Sequence, residues 1–411
     1  MTTPRTTRSH IPTPGALSLT SPRAVSDLTW LGWWNSASVE VLWALSGAAD
    51  ADLALNSLYR LMVALDEHQG NHDDIDHAIR TDPVFRVRLF ALLGASSVLG
   101  DHLIANPTTW HLLRHDAPTR RDMLRELLGC IGAAPAGLVG DTATDTLDNA
   151  GTYRAAGTGT TCTTIETTLK QTYRTLLMRI AAIDLAGTYP ENSRRVGQPE
   201  VPLGTVTAQL ADLADAALTA ALAVTIRHVY GDNPVESQLA VIAMGKCGAR
   251  ELNYISDVDV VFVAEPADAA ATRVASELIR LGSHCFFEVD AALRPEGKHG
   301  ALVRTLESHV TYYRRWAETW EFQALLKHRP MTGYLPLGRA YSDVISPLVW
   351  QASQRNSFVA DVQAMRRRVL ENVPEAMKHR ELKLGEGGLR DVEFAVQLLQ
   401  LVHGRYDETL R

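Results

Sequence analysis

The sequence predicts an α+β protein that is mostly helical, with one small sheet between helical regions. Apolar residues recur at three- and four-residue spacing through most of the chain, as on the buried face of a helix. Only three short runs, QLAVIAMG, DVDVVFVA and the weaker CFFEVDAAL, have the β-branched or aromatic content of strands, bounded by Gly and Pro. At 411 residues the chain is too long for one ordinary core and should contain two or three domains.

Composition and periodicity divide the chain into five parts. Residues 1–27 are rich in Ser, Thr and Pro and predict a disordered tail, whereas 28–132 predict a stack of short helices. Residues 133–168 are small and hydroxyl-rich, which predicts a linker or a surface insertion. A central domain with the sheet is expected over 169–345, and a C-terminal helical domain begins at 346.

Within the last three parts, individual elements follow from the pattern. Helical periodicity covers 169–187 and 205–231, and the second segment is so rich in Ala and Leu that it should be buried on several sides. The three strand-like runs come next. A helix is predicted over 309–329, ended by Pro330, and a final helix over 389–403.

Bulk properties exclude several classes of function. The 40 Lys and Arg against 47 Asp and Glu give a net charge of −7, which argues against a protein that mainly holds nucleic acid. The N-terminus lacks the apolar core of a signal peptide, and apolar runs fall short of membrane-spanning length. Four cysteines without paired spacing indicate neither a zinc site nor disulfides, and so a reducing, cytoplasmic compartment: Cys130, Cys162, Cys247 and Cys285.

Two carboxylates interrupt the second strand-like run. Asp257 and Asp259 alternate with valines, so both point to one face of the strand while the valines face the core. Anions this close repel unless a cation neutralises them, and Mg²⁺ prefers such oxygen ligands while leaving positions open for phosphates. Asp290 lies in the third run, where an adjacent strand would bring it beside the pair. Three carboxylates around two Mg²⁺ ions, or Mn²⁺, can serve displacement at phosphorus.

The segment before this run predicts the other half of a site. Gly245 and Gly248 allow the backbone to approach a phosphate closely, and Lys246 and Arg250 can meet its charge. Ser256 adds a hydroxyl next to the first carboxylate. Together the two segments predict nucleotidyl transfer.

Four segments carry a family resemblance: MGKCGARELNYISDVDVVFV, VDAALRPEGKHGALV, YYRRWAETWEFQALLKHRP and KLGEGGLRDVEFAVQLLQL. In this order they resemble the bifunctional glutamine synthetase adenylyltransferases and adenylyl-removing enzymes, whose catalytic halves are polymerase-β-like nucleotidyltransferases. The resemblance places Asp257, Asp259 and Asp290 on the family's metal-binding carboxylates and Arg294 on a basic site residue. The last two segments carry further family positions: Tyr312, Tyr313, Trp320, Glu321, Lys327, Arg329, Lys383, Gly387, Gly388, Arg390, Asp391 and Glu393. Departures from the pattern, where the family commonly has arginine, are Ala292, Glu318 and Phe322.

The resemblance implies a small polymerase-β-like sheet flanked by an N-terminal helical region and the start of a C-terminal helical bundle. One copy of the segments after an initial Met looks like the N-terminal half of the family. That half removes AMP from an adenylylated tyrosine of glutamine synthetase by phosphorolysis, consuming inorganic phosphate and releasing ADP, under control of a PII-type signal protein. The alternatives are ATP-dependent adenylylation of the same target and a non-catalytic regulatory domain.

Other motifs have two interpretations each. The stretch GEGG at 385–388 is either a phosphate loop or a glycine-rich hinge before a helix. The tryptophans at 30, 33 and 34 close a helical core or form a docking patch, and the aromatic residues at 312–320 are core or a base-stacking platform. The His- and Asp-rich segment 67–77 is expected to be a solvated turn with Asp residues at the start of the next helix rather than a metal site.

Overall fold

The computed structural model describes residues 10–68, 72–133, 150–156, 162–188, 200–355, 357–407 and 410. The chain forms two compact units. The first contains residues 1–123 and 170–209, and the second contains 124–169 and 210–411. The boundaries therefore differ from those expected at 168/169 and 345/346, and each unit is built from two separate stretches of chain.

Short helices build the first unit, as the periodicity predicted. Their beginnings follow from capping side chains: Asp50 accepts from the backbone N–H of Leu53 at 2.9 Å, and Asp82 from that of Phe85 at 3.0 Å. The apolar faces pack into one core that includes Trp33 and Phe90. The helices up to the end of the long apolar helix are α1 (Ala24–Trp30), α2 (Val39–Leu45), α3 (Ala51–Glu67), α4 (His72–Thr81), α5 (Pro83–Ala95), α6 (Ser97–Ala105), α7 (Arg120–Gly129), α8 (Cys162–Gly187) and α9 (Leu203–Tyr230).

The predicted disordered tail is wrong for residues 10–27. Residues Pro14–Leu17 form a 3₁₀ helix, and Leu17 is fully buried in the core of the first unit. Asp52 accepts hydrogen bonds from the backbone N–H groups of Thr20 and Ser21, at 2.9 and 3.1 Å. Burial of Leu17 and Leu19 and the hydrogen bonds to Asp52 thus order this segment despite its polar composition. Residues 1–9 lie outside the described residues.

The prediction of a linker or surface insertion over 133–168 is wrong for residues 162–168, which are helical. Residues Ala150–Thr152 form a 3₁₀ turn, and α8 begins at Cys162. Thr is a poor helix former in isolation, yet tertiary packing of a long helix overrides that preference. The remaining residues of that segment, 134–149 and 157–161, lie outside the described residues.

A five-stranded mixed sheet lies in the second unit, and its strands are β1 (Gln238–Ala243), β2 (Val258–Glu265), β3 (Val289–Asp290), β4 (Val303–Arg304) and β5 (Arg329–Gly333). The order is β3-β2-β1-β5, with β4 also paired to β2. β1 runs antiparallel to β2 and β5, whereas β3 and β4 run parallel to β2. The three predicted runs therefore form three of the five strands of one small sheet, β1, β2 and β3, and the α+β, mostly helical class is confirmed.

Helices on the sheet complete the second unit: α10 (Gly245–Gly248), α11 (Ala269–Cys285), α12 (Leu306–Arg315), α13 (Thr319–Leu325), α14 (Leu335–Gln351), α15 (Phe358–Glu371) and α16 (Leu389–His403). The final helix agrees with the prediction. The helix predicted over 309–329 is wrong as one element, because a capping box between Glu318 and Glu321 starts a new helix and β5 begins at Arg329.

The helix α9 has the many-sided burial that its Ala- and Leu-rich sequence predicted. Its residues from Ala211 to Ala223 are buried without interruption. By length and composition it is apolar enough to cross a membrane, but 83% of its most apolar window is buried inside the structure. Two carboxylates in this stretch, Asp212 and Asp215, are buried with it, and both reappear at the site below.

Candidate active site

Three carboxylates meet at one end of β2. Asp259 on β2 and Asp290 on β3 are register partners in a parallel pair of strands, and Asp257 directly precedes β2. Val258 and Val260 are fully buried, so the alternation turns the carboxylates to the opposite face. The backbone therefore places these three residues at the same end of β2, as the sequence predicted.

Repulsion among the three carboxylates contributes to a raised pKa of Asp259. Burial first, and then the charges of Asp257 and Asp290, raise the pKa of Asp259 from 3.8 to about 6. The positive charges of Lys246 and Arg390 act in the opposite direction. No ion pair to any of the three carboxylates is formed within the described part of the chain, so the negative charge of the cluster is only partly compensated.

Local contacts fix the orientation of these side chains. The backbone N–H of Ala292 donates to Asp290 at 2.7 Å, and the Ser256 hydroxyl lies 3.4 Å from Asp257 Oδ1. Gly245 has φ of 53°, and a Cβ at this position would lie 2.8 Å from Oδ2 of Asp259. Glycine at 245 is therefore needed for the turn and for the room that Asp259 occupies.

The donor set can be tested for its fit to a divalent cation. Uncompensated carboxylate oxygens are the ligands that Mg²⁺ and Mn²⁺ take. Among the described residues, however, no group of three or more acidic, His or Cys side chains is drawn together tightly enough to hold a metal by itself. Mg²⁺ at phosphoryl-transfer sites is commonly bound by one or two carboxylates plus substrate phosphates. An open arrangement of this kind fits that mode and does not fit an all-protein cage.

The glycines of the turn before β2 are required partly for other reasons than phosphate binding. The turn forms the short helix α10, and a Cβ at Gly248 would lie 1.9 Å from the carbonyl oxygen of Lys327. The close approach at this glycine is thus to the protein's own backbone and not to a phosphate. Lys246 is exposed, and within the described ranges its Nζ donates to the side-chain oxygen of Asn253 at 3.3 Å. Of the residues predicted to bind phosphate in this segment, Lys246 is the one whose positive charge acts on the carboxylates.

Arg250 and Arg294 are not in the positions that the sequence predicted for phosphate binding. Arg250 pairs with Asp212 of α9 at 2.7 Å. Arg294 donates through all three guanidinium nitrogens to the backbone carbonyls of Ala291, Lys298 and Gly300, at 2.8, 3.0 and 3.1 Å. A guanidinium with three such acceptors holds its loop in shape, and only two of its five N–H donors remain for other partners.

A buried clamp behind the glycine turn was missed by the sequence interpretation. Arg329 makes a bidentate pair with Asp215 at 2.8 and 2.9 Å, and also donates to the carbonyls of Cys247 and Gly248, both at 3.2 Å. The signal that could have revealed it is QLADLADAAL, in which two aspartates three residues apart interrupt an otherwise apolar helix.

The glycine stretch at 385–388 is a structural turn and not a phosphate loop. Arg366 closes it by donating to the carbonyls of Leu384 and Gly385 at 3.1 and 2.8 Å, and it also pairs with Asp391. The backbone N–H of Gly387 donates to the same Asp391 at 2.6 Å. A phosphate loop needs free N–H groups, and those of Gly385, Gly387 and Gly388 donate within the protein.

The remaining motifs take mainly their structural interpretations. Trp33 is fully buried, and its Nε1 donates to Asp76 at 2.6 Å, whereas Trp30 is about half-exposed. Tyr313 is buried in the core against the sheet, although Trp316 is exposed. At the start of α4, His72 pairs with Asp66 at 2.6 Å, and acidic residues occupy the first turn. Residues 69–71 of that segment lie outside the described residues.

Carboxylates on neighbouring strands, with a lysine-bearing glycine turn beside them, are what a nucleotidyltransferase of the polymerase-β type presents to a phosphoryl group. Sequence comparison narrows this class. Residues 156–342 match the family described as glutamate-ammonia ligase adenylyltransferase, and residues 363–411 match GlnD PII-uridylyltransferase. The chain belongs to the glutamate-ammonia ligase adenylyltransferase family.

Several curated relatives share the name bifunctional glutamine synthetase adenylyltransferase/adenylyl-removing enzyme. The relative in Corynebacterium efficiens is 62% identical over 98% of this chain and 39% of its own length. The relative in Nocardia farcinica is 57% identical over 100% of this chain and 39% of its own length. The one in Mycolicibacterium smegmatis is 51% identical over 99% and 38%, respectively. The chain thus spans about two fifths of the length of these relatives.

Proposed function

We propose that this chain removes AMP from an adenylylated tyrosine of glutamine synthetase by phosphorolysis, giving ADP and the unmodified tyrosine. The observation that carries the proposal is the register pairing of Asp259 with Asp290 beside Asp257, in a member of this family. The relatives' name supplies the target protein and the two directions, attachment and removal. The match of residues 363–411 to a PII-uridylyltransferase family supports a PII-type signal protein as regulator.

In the proposed reaction, an oxygen of hydrogen phosphate forms a bond to the α-phosphorus of the tyrosyl adenylate, and the bond from phosphorus to the tyrosine oxygen breaks. The proton of the hydrogen phosphate ends on the tyrosine. Because a phenol has a pKa of about 10, its anion is a competent leaving group without a strong general acid. Asp257, Asp259 and Asp290 would hold Mg²⁺ or Mn²⁺, which when bound neutralises charge on the phosphoryl oxygens and polarises them.

The protein's own residues do the positioning. The exposed Lys246 places a positive charge beside the carboxylates, where it would meet a non-bridging phosphoryl oxygen. The strand pairing and the contact from Ala292 keep the carboxylates in place before substrate binds. Among the described residues, the positive charges of Lys246 and Arg390 act on Asp259.

The test is to incubate the chain with adenylylated glutamine synthetase, Mg²⁺ and radiolabelled orthophosphate. Labelled ADP is expected from the wild type, and Asp257→Asn and Asp259→Asn should each lower its formation by about 100-fold or more, because charge is removed at nearly constant volume. Free AMP in place of ADP would identify water as the nucleophile. AMP incorporation from ATP, without ADP release, would favour the attachment reaction, and neither product would favour a regulatory domain.

A further inference from the structure

Asp290 is the last residue of its strand, whereas β2 continues beyond Asp259 to Glu265. After Asp290 the chain leaves the sheet as the loop 291–300 and returns as β4, which pairs with β2. Strand pairing therefore holds the backbone of Asp290 on its N-terminal side. On its C-terminal side, the loop 291–300 has to hold it.

The backbone of the loop 291–300 bends sharply and passes close to itself. Gly297 has φ of 61°, in the left-handed region that favours glycine, and a Cβ at Gly300 would lie 2.0 Å from the carbonyl oxygen of Pro295. The N–H of Gly297 donates to the carbonyl of Arg294 at 2.9 Å, and the N–H of Gly300 to that of Gly297 at 3.2 Å. These turns bring the two ends of the loop within reach of one side chain.

The side chain of Arg294 spans the loop from its first residue to its last. Its Nη1 donates to the carbonyl of Ala291 at 2.8 Å, its Nη2 to that of Lys298 at 3.0 Å, and its Nε to that of Gly300 at 3.1 Å. A guanidinium is planar and presents its donors in fixed directions. One side chain thus sets the relative positions of three points of the loop backbone.

One peptide unit connects the Arg294 guanidinium to the Asp290 carboxylate. Its carbonyl belongs to Ala291 and accepts from Arg294 at 2.8 Å, and its N–H belongs to Ala292 and donates to Oδ1 of Asp290 at 2.7 Å. Because a trans peptide is planar, fixing the direction of its C=O also fixes the direction of its N–H. The positive charge at the carbonyl polarises the peptide as well, which makes its N–H a stronger donor.

The loop is also tied to the sheet at a point that does not involve Arg294. Glu296 forms an ion pair with Arg304 of β4, and β4 is paired with β2. The loop 291–300 should therefore stay in place when Arg294 is replaced, while the peptide beside Asp290 loses its restraint. A change at Arg294 is expected to act on the orientation of Asp290 more than on the fold.

We propose that Arg294 is a positioning residue for Asp290. It holds the peptide between Ala291 and Ala292, whose N–H orients the carboxylate, and it thereby raises the affinity of the carboxylate cluster for a divalent cation. Hydrogen bonds that orient a ligand in this way typically change metal affinity by about 10- to 100-fold. This role differs from the phosphate contact predicted from the sequence. The inference rests on the proposed function, because it takes Asp290 as a ligand of the cation in that reaction.

The test measures the dissociation constant of Mn²⁺ from the full chain, without substrate, by electron paramagnetic resonance of the free ion. Arg294→Gln should raise it by about 10- to 100-fold. Arg294→Lys should raise it by less, because an ammonium group can replace some of the three contacts but lacks the planar fork. The matched control is Lys298→Gln, which removes an exposed charge from the same loop and keeps the backbone carbonyls. It should not weaken Mn²⁺ binding.

The direction of the change separates positioning from charge. Arg294 is a cation, so its removal by Arg294→Gln would tighten Mn²⁺ binding if charge alone mattered, and Arg294→Lys would change nothing. Loss of orientation predicts weaker binding in both variants. At saturating Mn²⁺ the KM for inorganic phosphate should equal that of the wild type, whereas a direct phosphate contact through Arg294 predicts a raised KM.

Melting curves check that each variant is folded, and Arg294→Lys decides alone if Arg294→Gln does not fold. Unchanged or tighter Mn²⁺ binding by Arg294→Lys would overturn the inference, as would an equal loss in Lys298→Gln or a wild type that binds no Mn²⁺. The proposed reaction is judged separately, by ADP release from adenylylated glutamine synthetase. Weaker Mn²⁺ binding in the Arg294 variants, without ADP release by the wild type, would count against the reaction and support the positioning role.

Discussion

Arg329 and Asp215 form a bidentate pair, at 2.8 and 2.9 Å, that ties the start of β5 to the middle of α9. The same guanidinium donates to the carbonyls of Cys247 and Gly248, which are the last residues of the glycine turn. This ion pair therefore fixes the position of the turn that carries Lys246. Arg329 acts on the site through the backbone of this turn, and it is therefore a positioning residue.

Replacing Asp215 by Ala should be strongly destabilising. Asp215 is 1% exposed, and its loss leaves the Arg329 guanidinium, whose side chain is 21% exposed, without its carboxylate partner. Removing one partner of such a pair typically costs about 3–5 kcal/mol of the free energy of unfolding. Urea unfolding followed by circular dichroism measures this. The matched control is Glu375→Ala, which removes an exposed partner of Lys378 and should give no measurable change. Equal, small effects from both variants would contradict the clamp.

The carboxylate cluster could be predicted from sequence, but its basic neighbours could not. Alternation of Asp257 and Asp259 with valines is a local property, and it survives in the structure because strand geometry dictates it. The fates of Arg250 and Arg294 are set by partners that sequence spacing does not mark. One is an aspartate 38 positions away, and the others are backbone carbonyls that every residue carries.

The limits for the fold have the same origin. The long helices and the final helix follow from periodicity over many residues, which is a strong signal. The tail was mispredicted because two leucines, Leu17 and Leu19, gain a core that lies elsewhere in the chain. β5 was missed because five residues with a proline near the start carry little strand signal, and pairing with β1 supplies the stability.

Gly248 should not tolerate a methyl group. The Cβ of alanine would lie 1.9 Å from the Lys327 carbonyl oxygen and 2.9 Å from that of Ala243. Both are backbone atoms, so the backbone itself would have to shift, and Gly248→Ala should lower the free energy of unfolding by at least about 2 kcal/mol. The control Gly204→Ala meets no atom within 4 Å, in the first turn of α9, and should be neutral or slightly stabilising. Similar denaturation midpoints for the two variants would contradict the packing argument.

His309 should make the second unit sensitive to acid. Burial lowers the pKa of His309 from 6.5 to about 4. The folded protein therefore binds fewer protons than the unfolded chain between these values, so stability is full above about pH 6.5 and falls as the pH drops toward 4. The loss attributable to this residue is at most about 3 kcal/mol. Unfolding of wild type and His309→Phe at several pH values measures it, and the variant should show a flatter profile. Parallel profiles would show that His309 is not responsible.

Asp259 should change the free energy of unfolding with pH in the direction opposite to His309. Its pKa of about 6 in the folded protein lies above the ordinary 3.8, so the folded protein binds more protons than the unfolded chain between these values. Stability from this group therefore falls as the pH rises from about 4 to 6, and the cost is fully present at higher pH. It amounts to about 1–2 kcal/mol, since partial solvent access reduces the value that the shift alone implies.

Asp259→Asn should for this reason be more stable than wild type at pH 8 without metal, and the difference should vanish near pH 4. Adding Mg²⁺ should reverse the order, because a cation that binds the folded state stabilises wild type by mass action and has lost a charged ligand in the variant. Denaturant unfolding at both pH values, with chelator and with saturating Mg²⁺, measures all four cases. An Asp259→Asn protein that is less stable than wild type in chelator would show that this carboxylate serves folding, and an identical Mg²⁺ response would remove it from the metal site.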